Sequence, residues 1–215
     1  MRAVNDLARA QASLRRMPPG SVVASRAFDE DLLLWEIHHF REWGVEARGI
    51  ALSGADRADF DRIAVRLAKR IASWPRVFVH RDYQSRNLMV RPTGALCWID
   101  FQDALLGPRI YDLVALLNDS YQNFDRAFVE ARLDDYARVA ALEAGERATL
   151  GREFDFATVQ RKLKDAGRFI FIDRVKKNPA FLPYFEPSLA KVRAALERLT
   201  EEEDMRELAA IVATA

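Results

Sequence analysis

A short segment, residues 78–104 (FVHRDYQSRNLMVRPTGALCWIDFQDA), carries the side chains whose types and spacing suit chemistry. A hairpin that turns at Pro92–Gly94 brings Asn87 and Asp100 side by side at its open end. Two oxygen-bearing side chains that converge in this way suit a hard cation such as Mg²⁺, which prefers oxygen ligands and keeps several waters. Asp82, in the preceding loop, can accept a hydrogen bond from an attacking hydroxyl. Phosphoryl transfer needs both features, a metal that neutralises the phosphates and a carboxylate that aligns the nucleophile.

The spacing of these residues is similar to a known pair of kinase motifs. His80-Arg81-Asp82-x-x-x-x-Asn87, followed by Asp100-Phe101-Gln102, matches the kinase catalytic loop and metal-binding motif, with Gln102 where glycine is usual. Residues 77–120 resemble the aminoglycoside phosphotransferase family of small-molecule kinases. Within that family, the segments HRDYQSRNLMV, IDFQDALLGPRIYDLVALLND and VQRKLKDAGRF resemble the bacterial N-acetylmuramate/N-acetylglucosamine 1-kinases.

The resemblance implies a role for each residue of the segment. Asp82 would be the catalytic base, and Asn87 and Asp100 would hold the magnesium ion that accompanies ATP. His80 would hold the loop in place without reacting. Asp112 would brace the loop from the next helix through backbone hydrogen bonds; its alternative is a plain acid in the first turn of a helix, where the helix dipole favours a negative charge.

Asp103 has two interpretations that the sequence does not separate. It contacts the metal or the substrate, or it starts a turn at Gly107–Pro108. Only seven residues separate Asp103 from Tyr111. A protein kinase needs a long activation segment at this place to dock a peptide. The acceptor is therefore expected to be a small molecule.

The resemblance also implies the reaction, transfer of the γ-phosphoryl of ATP to the anomeric hydroxyl of N-acetylmuramate or N-acetylglucosamine. An aminoglycoside antibiotic is the alternative acceptor. Arg161, Lys162 and Lys164 lie on a predicted helix, where they are either solvated or in contact with the carboxylate of N-acetylmuramate.

Two parts of a kinase nucleotide site are not visible in the sequence. The only lysine before His80 is Lys69, which lies in a helical pattern, and Gly44, Gly49 and Gly54 do not form a glycine-rich loop after a strand. Residues 1–215 are therefore expected to be the C-terminal lobe of a protein-kinase-like fold, without the N-terminal nucleotide-binding lobe. Two functions follow: a catalytic lobe that works with an ATP-binding lobe on the same or another chain, or a non-catalytic module that binds a small molecule or a partner. The convergence of acids on one point favours the first.

The elements that must position these residues are mainly helical. Apolar spacing predicts an α+β chain in which one small β insertion carries the catalytic loop. The predicted helices and strands are Met1–Met17, Phe28–Trp43, a helix capped by Ser53 that runs to Ser73, strands Val77–Val79, Leu88–Val90 and Ala95–Ile99, and helices over 109–119, 124–143, 152–176 and 187–213.

Composition excludes several classes of partner. The chain has 215 residues, half of them apolar, and its 33 basic and 32 acidic residues leave a net charge of +1. No global field therefore draws it to nucleic acid or to an anionic membrane, and no apolar run reaches the roughly 18 residues of a membrane span. The expectation is a cytoplasmic protein that binds ATP, Mg²⁺ and a small molecule. We also expect it to self-associate near residues 1–30 or to pair with a separate N-lobe chain.

Overall fold

The computed structural model describes residues 1–214, which form eight α-helices and four short strands. The chain is mainly helical with a few short strands, which is consistent with the predicted α+β class. The helices are α1 (Arg2–Ser13), α2 (Glu30–His39), α3 (Gly54–Ala72), α4 (Tyr111–Leu117), α5 (Arg126–Val139), α6 (Ala144–Lys176), α7 (Phe185–Glu197) and α8 (Glu203–Ala213). The strands are β1 (Arg76–Val79), β2 (Leu88–Val90), β3 (Leu96–Trp98) and β4 (Leu105–Pro108). No helix among the described residues has the length and apolar character needed to cross a membrane.

The chain divides into two compact units. Unit 1 contains Met1–Phe28 and Trp74–Phe154, and unit 2 contains Asp29–Ser73 and the chain from Asp155 onward. All four strands and the whole of residues 78–104 belong to unit 1, so one unit carries the predicted chemistry.

Two antiparallel strand pairs form the β part of unit 1. β1 pairs with β4, with Val77 opposite Gly107, and β2 pairs with β3, with Met89 opposite Cys97. Gly94 in the turn between β2 and β3 has a φ of 77°, a left-handed conformation that favours glycine. The predicted hairpin therefore forms, and its open end lies where the catalytic loop enters β2.

Gln11 connects the helices of unit 1 to the strand that precedes the loop. Its side chain is buried and donates to the backbone oxygens of Phe78 (3.1 Å) and Arg109 (3.3 Å). The Tyr136 hydroxyl of α5 donates to the Gln11 side-chain oxygen at 2.5 Å. Since each of these groups is buried, its hydrogen-bonding requirement fixes where α1, β1 and α5 meet.

Unit 2 is helical, and α2 and α3 pack against each other in it. Ser53 caps α3 by accepting from the backbone N–H of Asp56 at 3.0 Å, as predicted. Gly167 of α6 lies so close to α2 that a Cβ there would be 2.5 Å from the backbone oxygen of His39. Glycine at this position therefore permits the close approach of the two helices.

The start of the second predicted helix is one place where the prediction was wrong. Asp29 accepts from the backbone N–H of Leu32 at 2.9 Å, so the helix begins at Glu30 rather than at Phe28. The backbone N–H of Phe28 instead donates to the oxygen of Leu106 at 2.8 Å. Phe28 is therefore held by the sheet of unit 1.

Strand β4 was not predicted, because Gly107 and Pro108 indicated a turn. In the structure both residues lie in β4 and pair with β1. Pro108 is tolerated because β4 belongs to a two-stranded sheet, in which each strand is an edge. Gly107 packs against Phe28, since a Cβ on Gly107 would be 2.8 Å from that ring.

Other helix boundaries also differ from the predicted ones, among them the end of the second helix at His39 rather than Trp43. The first helix ends at Ser13, about one turn before its predicted end. The helix predicted over 152–176 begins at Ala144, where the Glu146 carboxylate accepts the backbone N–H of Glu143 at 3.0 Å. The helix predicted over 187–213 is two helices, α7 and α8, because α8 starts afresh with acids in its first turn, where the dipole favours them.

Candidate active site

The loop between β1 and β2 is organised by its own hydrogen bonds. The Asn87 side-chain nitrogen donates to the backbone oxygen of Asp82 at 2.9 Å. Within the loop, the backbone N–H of Gln84 donates to the Asp82 oxygen and that of Asn87 donates to the Gln84 oxygen, each at 2.9 Å. These contacts close a short 3₁₀ turn, Ser85–Asn87, and fix Asp82 relative to Asn87.

Asn87 and Asp100 meet at the open end of the hairpin. The side-chain nitrogen of Asn87 lies 3.4 Å from Oδ2 of Asp100. The backbone N–H of Ile99 donates to the oxygen of Asn87 at 3.1 Å, which extends the strand pairing to the last residue before Asp100. Asp100 is exposed and has a φ of 66°, an unusual conformation for a residue with a side chain. Side chains thirteen positions apart in sequence are thus brought into contact by the hairpin.

The donor atoms at this place fit a magnesium ion. The nitrogen of Asn87 donates to Asp82, so the Asn87 amide oxygen keeps its capacity to accept, and the Asp100 carboxylate is open to solvent. Carboxylate and amide oxygens are ligands that Mg²⁺ takes, and waters and substrate phosphates complete its shell. Within residues 1–214, no group of three or more His, Cys, Asp or Glu side chains forms a metal cage. Asn87 and Asp100 would supply two of the ligands of a magnesium ion and leave the others to waters and substrate phosphates.

Gln102 stands where kinases usually have glycine, and it contacts the same carboxylate. Its side-chain nitrogen donates to Oδ1 of Asp100 at 2.9 Å. The Arg26 guanidinium in turn donates to the backbone oxygen of Gln102 at 3.1 Å. One oxygen of Asp100 is therefore oriented by Gln102, a contact that sequence spacing gave no reason to expect.

Asp112 is completely buried and binds the start of the loop. Its Oδ2 accepts the backbone N–H of His80 at 2.7 Å, and its Oδ1 accepts that of Arg81 at 3.0 Å. Arg81 has a φ of 76°, which is a strained conformation for a residue other than glycine. A carboxylate that accepts both neighbouring amides stabilises this conformation, as a brace for the loop must do.

His80 lies in the core of unit 1 beside two aromatic rings. It is fully buried, and its ring makes edge-on contacts with Tyr83 (5.7 Å between centroids) and Trp98 (6.1 Å). Burial lowers the pKa of the imidazole, although the negative charge of Asp82 acts in the opposite direction. The ring is therefore neutral at neutral pH and packs under the loop.

Asp103 lies outside this cluster of contacts. It is exposed in the turn Phe101–Ala104, in which the Ala104 N–H donates to the Phe101 oxygen at 3.0 Å. The expectation that it starts a turn at Gly107–Pro108 is wrong, because those residues belong to β4. The turn that contains Asp103 ends at Ala104, just before β4 begins.

A contact between Ser85 of the loop and Asp119 was missed. Ser85 donates to the carboxylate of Asp119 through both its backbone N–H (2.9 Å) and its hydroxyl (2.6 Å). A lone acid after a helix gives no signal in the sequence, so this contact could be found only from the folded chain.

The three basic residues singled out on α6 belong to unit 2, and two of them are almost completely buried. Arg161 is 3% exposed and Lys162 is 1% exposed. The ammonium groups of Lys162 and Lys164 lie 2.8 Å and 3.3 Å from the carboxylate of Asp165. The interpretation that they form a solvated helix face is therefore wrong for Arg161 and Lys162.

Comparison with known proteins shows which family the chain is similar to. Residues 2–150 match the phosphotransferase enzyme family. The chain is 32% identical over 210 residues to an N-acetylmuramate/N-acetylglucosamine kinase of Pseudomonas putida, covering 95% of this chain and 61% of that protein. It is 33% identical over 190 residues (86% of this chain, 56% of the relative) to the protein of that name from Pseudomonas aeruginosa. The corresponding protein of Neisseria meningitidis is 34% identical over 196 residues, 83% of this chain and 58% of the relative.

These matches have two consequences. The chain spans only about three fifths of the length of these curated relatives, 61%, 56% and 58%. The family match nevertheless covers all the residues of the candidate site, from His80 to Asp112. The chain belongs to the phosphotransferase enzyme family.

Proposed function

We propose that this chain is the catalytic lobe of a kinase that transfers the γ-phosphoryl group of ATP to a hydroxyl of a small molecule. The observation that carries the proposal is the meeting of Asn87 and Asp100 at 3.4 Å, with Asp82 held to Asn87 through its backbone oxygen. Phosphoryl transfer depends on positioning and on electrostatic stabilisation more than on covalent chemistry of the protein. A cluster of fixed oxygen donors beside a base meets both needs.

Each residue of the cluster has a distinct part in this proposal. Asp82 aligns the acceptor hydroxyl and takes its proton as the oxygen attacks the γ-phosphorus, while the bond from that phosphorus to the β-phosphate oxygen breaks and ADP leaves. Asn87 and Asp100 hold magnesium, which when bound offsets the negative charge of the ATP phosphates. His80 and Asp112 keep the loop in the conformation that this alignment needs, one by packing and one through two backbone amides.

The form of the segment after Asp100 supports a small-molecule acceptor. Leu105–Pro108 is a strand paired with β1, and α4 starts at Tyr111. The positions at which a protein kinase has its peptide-docking activation segment are therefore part of a strand pair here. The names of the relatives support N-acetylmuramate or N-acetylglucosamine as the acceptor, phosphorylated at the anomeric hydroxyl. An aminoglycoside is the second candidate acceptor.

We also propose that a nucleotide-binding lobe outside these 215 residues covers the hairpin of unit 1. The hairpin and the residues after it expose several large apolar side chains, namely Met89 (47%), Val90 (72%), Ile99 (40%) and Phe101 (63%). Residues 1–30 expose two such side chains, Met1 (68%) and Val22 (61%), while α1 buries Val4, Leu7 and Ala8. This favours the hairpin over residues 1–30 as the surface that meets the lobe.

A phosphate-transfer assay tests the reaction and the acceptor together. The protein encoded by the complete reading frame is incubated with Mg·ATP and with each of N-acetylmuramate, N-acetylglucosamine and kanamycin. We expect faster transfer to an amino sugar than to kanamycin, and a product whose phosphate is released by mild acid, as expected of an anomeric phosphate. Faster turnover of kanamycin overturns the choice of acceptor. Sugar binding by calorimetry without any transfer supports the alternative, a non-catalytic binding module.

A further inference from the structure

Asp119, two residues beyond the end of α4, is buried and bonded to the loop that carries Asp82 and Asn87. Its side chain is 2% exposed. Oδ2 accepts both the backbone N–H and the hydroxyl of Ser85, at 2.9 Å and 2.6 Å, and Oδ1 accepts the backbone N–H of Tyr121 at 3.1 Å. Both carboxylate oxygens therefore act as acceptors, and one of them accepts two bonds from a single loop residue.

The position of Asp119 relative to Asp112 shows what this contact does for the loop. The two acids are seven residues apart, Asp112 in the first turn of α4 and Asp119 just after its end. Asp112 binds the amides of His80 and Arg81, and Asp119 binds Ser85. The short segment that contains α4 and the residues just after it thus holds the loop at its start and near its end.

Helix stability does not explain an acid at this place. A negative charge near the C-terminal end of a helix is disfavoured by the helix dipole, and burial of a carboxylate has a further cost unless it is hydrogen-bonded. Asp119 combines both disadvantages. Its bonds to Ser85 and to the backbone N–H of Tyr121 offset them, and two of these three bonds go to the loop.

Ser85 lies in the same 3₁₀ turn as Asn87, the proposed metal ligand. It begins the 3₁₀ turn Ser85–Asn87, in which Asn87 lies two residues later. A second contact joins the same two segments, since the Arg86 guanidinium lies 3.4 Å from the centroid of the Tyr121 ring. We propose that Asp119 is a positioning residue for phosphoryl transfer, which sets the place of Asn87 through Ser85. This inference rests on the proposed function.

Asparagine at position 119 is a close test of the carboxylate. An asparagine has the same shape but only one acceptor oxygen, so its NH₂ group must face either the donors of Ser85 or the N–H of Tyr121. Ser85→Ala is milder, because it removes the 2.6 Å hydroxyl contact and keeps the backbone one. Asp125→Asn is the matched control: Asp125 is exposed, accepts the backbone N–H of Phe128 at 2.7 Å to cap α5, and has no bond to the loop.

The experiment measures hydrogen exchange of residues 83–90 by mass spectrometry, together with kcat and KM for the acceptor and for Mg·ATP. For Asp119→Asn we expect exchange of this peptide to rise about tenfold or more and kcat to fall about 10- to 100-fold, with the acceptor KM nearly unchanged, since a small misplacement acts on the transition state. Ser85→Ala should show the same split with a smaller loss. Asp125→Asn should change neither quantity, because asparagine caps a helix about as well as aspartate.

Two results overturn the inference. In the first, folded Asp119→Asn and Ser85→Ala keep wild-type exchange over residues 83–90. In the second, exchange rises equally over all of unit 1 and the kcat of Ser85→Ala is unchanged, which indicates a structural role alone. If the wild type transfers phosphate to none of the acceptors, the proposed function fails, and the exchange data still decide whether Asp119 holds the loop.

Discussion

Replacing Asp112 by asparagine tests how strongly the loop depends on its brace. Asp112 is fully buried and accepts two backbone amides, at 2.7 Å from His80 and 3.0 Å from Arg81. The asparagine keeps the shape but offers one oxygen, so one bond is lost and its buried N–H is left facing an NH₂ group. A hydrogen bond to a charged group contributes about 1.5–3 kcal/mol, and a buried unpaired donor costs about 1–3 kcal/mol. Both figures describe the loss of the same bond, so we expect Asp112→Asn to lower the free energy of unfolding by about 1.5–3 kcal/mol.

The same substitution should reduce catalysis, because the strained φ of Arg81 persists only while its surroundings hold it. With the brace weakened, Arg81 relaxes and Asp82 moves, and a displacement of this kind reduces kcat by about 100-fold. Urea unfolding followed by circular dichroism gives the first quantity, and the phosphate-transfer assay gives the second. Asp134→Asn, on the exposed face of α5, is the control and should change stability by less than about 0.5 kcal/mol. If Asp112→Asn unfolds as its control does, the two amide bonds do not hold the loop.

Three further predictions concern stability and association. Asp165→Asn should cost about 3–5 kcal/mol, since it leaves the buried ammonium of Lys162 without the carboxylate 2.8 Å away. Burial alone would raise the pKa of Asp165, but the neighbouring cations hold it well below its ordinary value. The stability that this carboxylate contributes is therefore present above about pH 4 and is lost as the pH falls below that value. The melting temperature should show this loss in the wild type and not in Asp165→Asn. Burial lowers the pKa of His39 in the folded protein to about 4, whereas the pKa of a histidine in the unfolded chain is about 6.5. The melting temperature should therefore fall as the pH is lowered from about 6.5 to about 4, and it should fall less in His39→Phe. An equal fall in both proteins contradicts this. The chain without a nucleotide-binding lobe should self-associate through its hairpin and do so less in Val90→Ser; sedimentation of wild type as a monomer at all concentrations contradicts this.

The sequence was most informative where residue type and spacing act locally. The hairpin could be predicted because Pro92–Gly94 marks a tight turn between two apolar runs, and its register then brings Asn87 to Asp100 without any knowledge of the rest of the fold. The cap at Ser53 followed in the same way from a local preference.

The contacts that could not be predicted join segments that are distant in sequence or override a local signal. β4 was hidden because its Gly107-Pro108 pair indicates a turn, yet pairing with β1 determines its conformation. Asp119 reaches Ser85 across 34 positions, and nothing near Asp119 indicates this partner. The burial of Lys162 is a comparable case, since a basic residue on a helix is usually solvated and only its pairing with Asp165 makes burial tolerable.

The turnover of Asp82→Asn tests the proposed mechanism most directly. Asparagine keeps the size of the side chain and one oxygen but removes the base, and general-base contributions are typically about 10²–10⁴-fold. In the protein from the complete reading frame, with saturating Mg·ATP and amino sugar, kcat should fall by about that factor while nucleotide affinity stays nearly unchanged. Asp100→Asn is the comparison, and it should weaken Mg·ATP binding as well. An Asp82→Asn enzyme that folds normally and turns over within about threefold of the wild type contradicts the assignment of Asp82 as the base.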